Sequence, residues 1–135
     1  MVDKDREIVL ALVTFPGEEA AAELARRLLA EGLVACVNIV PGVRSLYPWE
    51  GAIQDETEVL ALMKSRRAEV DRLVRRVVEL HPYETPAVSV LTPDAVAEGY
   101  AAWLHGVLDG PRSLSDGPRS LSDGPQGVLD GEGQA

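Results

Sequence analysis

The 135-residue sequence has a single cysteine, Cys36, two histidines and only six aromatic side chains. One thiol excludes an intrachain disulfide framework and any multi-thiolate zinc cage. No apolar run approaches the length a bilayer requires, so no membrane partner is expected. The first residues, Met1 to Glu7, are charged and of mixed sign rather than a basic segment leading into an apolar core, and the expected compartment is the cytoplasm. A G-x-S-x-G elbow, a P-loop and a G-x-G-x-x-G turn are all missing, so no enzyme activity is expected. Positive charge is scarce too. The net charge is −9, with 11 basic against 17 acidic residues in 1–108 and 2 against 5 in 109–135. Neither part can attract a polyanion, which argues against nucleic acid as a partner.

What is present reads as one domain with an appendage. An apolar, β-branched run from Arg6 to Phe15 predicts a strand stopped by Pro16-Gly17. A helix follows to about Glu31, with Ala21, Leu24, Ala25 and Leu28 at helical spacing and Gly32 at the C′ position. Val34 to Ile39 and Val43 to Trp49 read as one long strand, with Pro41-Gly42 as a bulge. Glu50-Gly51-Ala52 turns it into a third strand ending near Lys64. A second helix is expected from Arg66 to Leu80, with Ser65 as N-cap. A fourth strand is expected over Thr85 to Leu91 and a third helix over Ala95 to Leu108. This order predicts an α+β, ferredoxin-like βαββαβ antiparallel sheet with an extra C-terminal helix.

Residues 109–135 differ. Asp-Gly recurs at 109, 116, 123 and 130, and the abundant glycine and proline forbid a continuous helix. Disorder is expected there, and truncation after Leu108 is expected to leave thermal stability unchanged.

Both faces of the central strands are apolar. Ala35, Val37 and Ile39 alternate with Val34, Cys36 and Val40, and Val59, Ala61 and Met63 with Leu60 and Leu62. Two helices cover one face only. Leaving about 400 Å² of apolar surface in water forgoes on the order of 10 kcal/mol, so self-association is expected. The alternative is that the third helix folds over the open face.

Few residues suggest site chemistry. Cys36 lies among apolar neighbours, where a thiol is expected to be a small core residue rather than a nucleophile. His81, next to Pro82, and Glu84 are the candidate metal ligands, a pair suited to Cu(II) or another divalent transition metal that folding would not require. The plain alternative for His81 is a hydrogen-bonded loop residue. Tight binding would need groups from neighbouring chains. His105 suits a helix C-terminus. Arg72 and Arg75 read as partners of Glu69 and Asp71 on a solvent face, with anion binding a lesser alternative.

The stretches Val13-Thr14-Phe15-Pro16, Leu33 to Val43, Ser45 to Gly51 and Glu79 to Pro86, with Lys64 closing the third strand, resemble the CutA proteins of divalent-cation tolerance. The resemblance covers about residues 7 to 105. It implies a homotrimer with interlocking hairpins, similar in plan to PII signalling proteins, and a link to copper or other divalent cations. It also implies a ligand cleft between subunits near Tyr47, Trp49, Lys64 and Tyr83, with His81 and Glu84 as the metal candidates. The alternative is a PII-like small-molecule sensor or scaffold that uses the same clefts without metal. Some relatives carry a thiol in the first strand where this chain has Val13.

Overall fold

The computed structural model describes residues 3–110. The tail expectation, beyond Gly110, falls outside the described residues. After a short 3₁₀ turn at Lys4–Arg6, the elements are β1 (Ile8–Phe15), α1 (Glu18–Ala30), β2 (Cys36–Trp49), β3 (Ala52–Arg66), α2 (Val70–Leu80), β4 (Val88–Leu91) and α3 (Glu98–Asp109). The strands form one antiparallel sheet in the order β2-β3-β1-β4. This is the expected ferredoxin-like arrangement with one added helix.

Local chemistry sets the corners. Gly32, at φ 72°, lets α1 end in a Schellman motif. The Leu33 N–H donates to the Leu28 carbonyl at 2.9 Å and the Gly32 N–H to the Leu29 carbonyl at 3.1 Å. The β2–β3 ladder shifts register between Val40 and Val43, where Pro41 lacks an N–H and Gly42 has φ 75°. Past that bulge β2 and β3 run on together as a two-stranded ribbon. Its tip, Glu50-Gly51, has positive φ at both residues, the geometry a tight hairpin needs.

The registers define two faces. Val9, Ala11, Val13 and Phe15 of β1 and Val59, Ala61 and Met63 of β3 are buried beneath Leu24 and Leu28 of α1 and Leu73 and Val77 of α2. Among the described residues the opposite face is covered at one end, where Leu104 and Leu108 of α3 pack on Ile8 and Ala35. Leu10, Leu12, Leu60 and Leu62 stay half-buried, and Val40 and Leu91 are exposed.

Several local expectations are corrected. Strand β2 begins at Cys36, so Ala35 joins the α3 cluster and Val34 the main core, the reverse of their alternation with Val37. Ser65 is not a helix cap. It is the buried penultimate residue of β3, and its Oγ donates to the Leu33 carbonyl at 2.7 Å. A 3₁₀ turn, Arg67–Glu69, separates it from α2. Strand β4 starts only beyond Pro86, and α3 extends to Asp109, whose carboxylate meets Arg66 at 2.7 Å.

Candidate functional site

Where the ribbon leaves the sheet, Glu56 and Glu58 stand two residues apart on the same side of β3. Each accepts a phenol. The Tyr83 hydroxyl donates to Glu58 Oε2 at 2.7 Å, and the Tyr47 hydroxyl donates to Glu56. The Glu58 side chain is buried. Burial and the adjoining carboxylate push the Tyr83 phenol well above the ordinary tyrosine range. Its bond to Glu56 raises Tyr47 in the same way. Both phenols therefore remain protonated donors at neutral pH.

Behind this pair lies His81, the C-cap of α2, with its backbone N–H on the Val77 carbonyl at 2.9 Å. Pro82 keeps the residue extended as the chain leaves the helix. The ring stacks on Phe15 with centroids 4.4 Å apart. Its Nδ1 accepts the Tyr83 N–H at 3.0 Å, and its Nε2–H donates to the Thr14 carbonyl at 2.8 Å. That assignment fixes one neutral tautomer and leaves neither nitrogen with a free lone pair. Burial also holds the imidazole below its usual value. In this geometry His81 is a tether joining α2, β1 and the Tyr83 loop. Glu84, three residues on, is exposed. Among the described residues no three His, Cys, Asp or Glu side chains converge in a way that could hold a metal ion.

The remaining cleft candidates lie elsewhere in the chain. Lys64 is six residues from Glu58 along β3, about 20 Å at the usual strand rise. Its ammonium lies 3.8 Å from the Cys36 sulphur and also bonds the Asn38 side chain. Trp49 stands at the ribbon tip opposite Ala52, about as far from Glu58 in the other direction. A single chain thus unites Tyr47, Tyr83 and His81 but not Lys64 or Trp49.

Cys36 is not a core residue as expected. It is half-buried at the start of β2, on the face that α3 covers in part. Burial, with the neighbouring Cys36, lifts the Tyr100 phenol to about 12. His105 meets Arg66 at 3.4 Å, and burial with the nearby Arg6 and Arg66 holds it below the ordinary histidine value. Among the described residues neither pair expected for Arg72 and Arg75 forms; Glu69 turns inward to Arg66 at 3.0 Å, which takes it from Arg72.

Sequence reasoning missed Glu56 and Glu58, which in a charged ribbon look like ordinary solvent-facing carboxylates. The available signal was their period-two spacing just beyond an apolar strand core, opposite a stretch that supplies Tyr47.

Residues 9–107 match the family model described as CutA1 divalent ion tolerance protein. The divalent-cation tolerance protein CutA of Thermus thermophilus is 42% identical over 98 residues, covering 70% of this chain and 92% of that protein. Its counterpart in Pectobacterium atrosepticum is 38% identical over 102 residues, covering 76% and 93%. The chain spans about half the length of a chloroplastic relative from Arabidopsis thaliana, 38% identical over 96 residues that make up 71% of this chain and 53% of that protein. Among solved structures, CutA1 from Oryza sativa superposes with a TM-score of 0.73 at 36% identity, covering 78% of this chain and 96% of that one.

Proposed function

The chain belongs to the CutA1 divalent ion tolerance family, and from that premise we propose that it acts as a cytoplasmic homotrimer in tolerance to divalent cations, copper among them, holding its ligand between subunits and catalysing no reaction. The observation that carries this reading is the unfinished ribbon. Leu46, Trp49 and Ile53 are 60%, 62% and 75% exposed, and the leucines of the second face are only half covered. At roughly 1.5–3 kcal/mol per fully buried apolar side chain, three such ribbons wrapped on one another gain enough to assemble at micromolar concentration. Assembly also offers a route by which the Trp49 tip or Lys64 of one copy can approach the Tyr47–Glu56 and Tyr83–Glu58 pairs of another.

Within that cleft the metal reading assigns Glu84 as an exposed oxygen ligand, with further ligands from a second subunit. His81 contributes by holding the loop, and becomes a ligand only if the Tyr83 N–H releases Nδ1. The test is a Cu(II) titration of the wild type, Glu84→Ala and His81→Ala, each checked first for oligomeric state. Weakening of at least about tenfold in Glu84→Ala, about 1.4 kcal/mol, supports the reading. Identical binding by all three proteins removes this loop from the account.

One arrangement favours a second reading, a PII-like sensor or scaffold that takes a small molecule without metal. Lys64, Asn38, Cys36 and Tyr100 gather on the partly covered face, and the described residues hold no metal-binding cluster. A thermal-shift screen separates the two, since a ligand at 100 times its dissociation constant adds about 2.7 kcal/mol of stability.

A further inference from the structure

A second cleft, of about 260 Å³, lies in the helical layer. Its walls are Glu31 and Leu33, just after α1, and Arg72, Arg75, Arg76 and Glu79 of α2. Arg76 is fully committed. Its Nε and Nη2 donate to the two oxygens of Glu31 at 2.8 and 2.7 Å, and its Nη1 donates to Glu79 at 2.8 Å. The bond to Arg76 holds the Glu31 carboxyl below the usual carboxylate range, so this wall is ionised and fixed at neutral pH.

Arg72 and Arg75 line the same cleft and, among the described residues, make no ion pair and no side-chain hydrogen bond. Spaced three apart on α2, they lie on one side of the helix. The lining carries three arginines against two glutamates, a surplus of one positive charge in a chain of net −9. A guanidinium presents a planar fork of donors matched to an oxyanion, and the two exposed forks of Arg72 and Arg75 are free to turn onto one beside the fixed Arg76–Glu31 pair.

We infer that Arg72 and Arg75, backed by the Arg76–Glu31 pair, bind a small oxyanion, a phosphate group either free or carried on a monoester. Glu31 and Glu79 bound the site and limit its charge. A single phosphate fits between them, whereas a chain of net charge −9 repels an extended nucleic-acid backbone. This site is independent of the metal reading, since it uses neither the ribbon nor the His81 loop.

The test is a titration of the full chain with inorganic phosphate at low ionic strength, followed by NMR of the arginine Nε–H groups and the Leu33 methyls. Saturable shifts at Arg72, Arg75 and Leu33 are expected. Arg72→Ala/Arg75→Ala should weaken binding at least about tenfold, about 1.4 kcal/mol, with the melting temperature unchanged. Arg72→Lys/Arg75→Lys, which keeps charge but loses the fork, should fall between. Repeating the titration with glycerol 3-phosphate identifies the source. Tighter binding assigns a monoester and equal binding assigns free phosphate. Unsaturable shifts, or equal affinity in the wild type and the double alanine variant, would overturn the assignment.

Discussion

The helix-covered face of the sheet and the protruding ribbon share strands β2 and β3, yet among the described residues only the covered face, completed by β1, is shielded from water. On the covered face Val9, Ala11, Val13, Phe15, Ala61 and Met63 are sealed from water. Past the bulge at Pro41-Gly42, β2 and β3 carry Leu46, Trp49 and Ile53 into solvent. The difference separates stability intrinsic to the subunit from apolar surface that the proposed assembly would bury. Between the two regions sits the Tyr47–Glu56 and Tyr83–Glu58 double pair, a polar seam tied to the covered core through His81.

The sharpest way to break the comparison is on its finished side. Phe15→Ala removes a fully buried ring that also stacks on His81, and should cost about 3–5 kcal/mol in urea unfolding. On the unfinished side, Leu46→Glu/Ile53→Glu should leave the far-UV spectrum of the subunit intact while shifting sedimentation to the single chain. The lost association energy should be about 3–6 kcal/mol. At the seam, Tyr83→Phe leaves buried Glu58 without its donor and should cost about 1–3 kcal/mol by the same urea measurement.

A gentler probe is pH. Burial holds His81 below the ordinary histidine value of 6.5, so the unfolded chain takes up the proton first. The stability His81 contributes is therefore whole above that value, and falls as pH drops from 6.5 towards the folded pKa. His105 is depressed in the same direction, so His81→Gln should flatten part of this loss, not all of it. Melting temperatures between pH 7.5 and about 5 check the slope. The smallest effect concerns the end of α3. A chain stopped at Leu108 lacks the Asp109 carboxylate that meets Arg66 and Arg6, and should melt slightly lower than one stopped at Gly110.

Much of the architecture was legible because hydrophobic period and turn residues agree. Pro16-Gly17, Gly32, Pro41-Gly42 and Glu50-Gly51 each fall at an element boundary or bulge. The errors lie where tertiary contacts override local signals. Ser65 resembles a cap by sequence but is drawn into the sheet by the Leu33 carbonyl. Glu69 could serve Arg72 along the helix, yet buried Arg66 takes it. The site was half legible. Tyr47, Tyr83 and His81 were singled out and do meet, but the carboxylates that receive the phenols were invisible without the strand register. Lys64 and Trp49 cannot join them in one chain, a separation that follows from strand rise alone.

Sedimentation equilibrium of the full-length protein across micromolar concentrations addresses the unfinished ribbon most directly. A mass three times that of one 14.5 kDa chain, independent of dilution, is the expected result. A folded, stable species of one chain mass over the same range would contradict it.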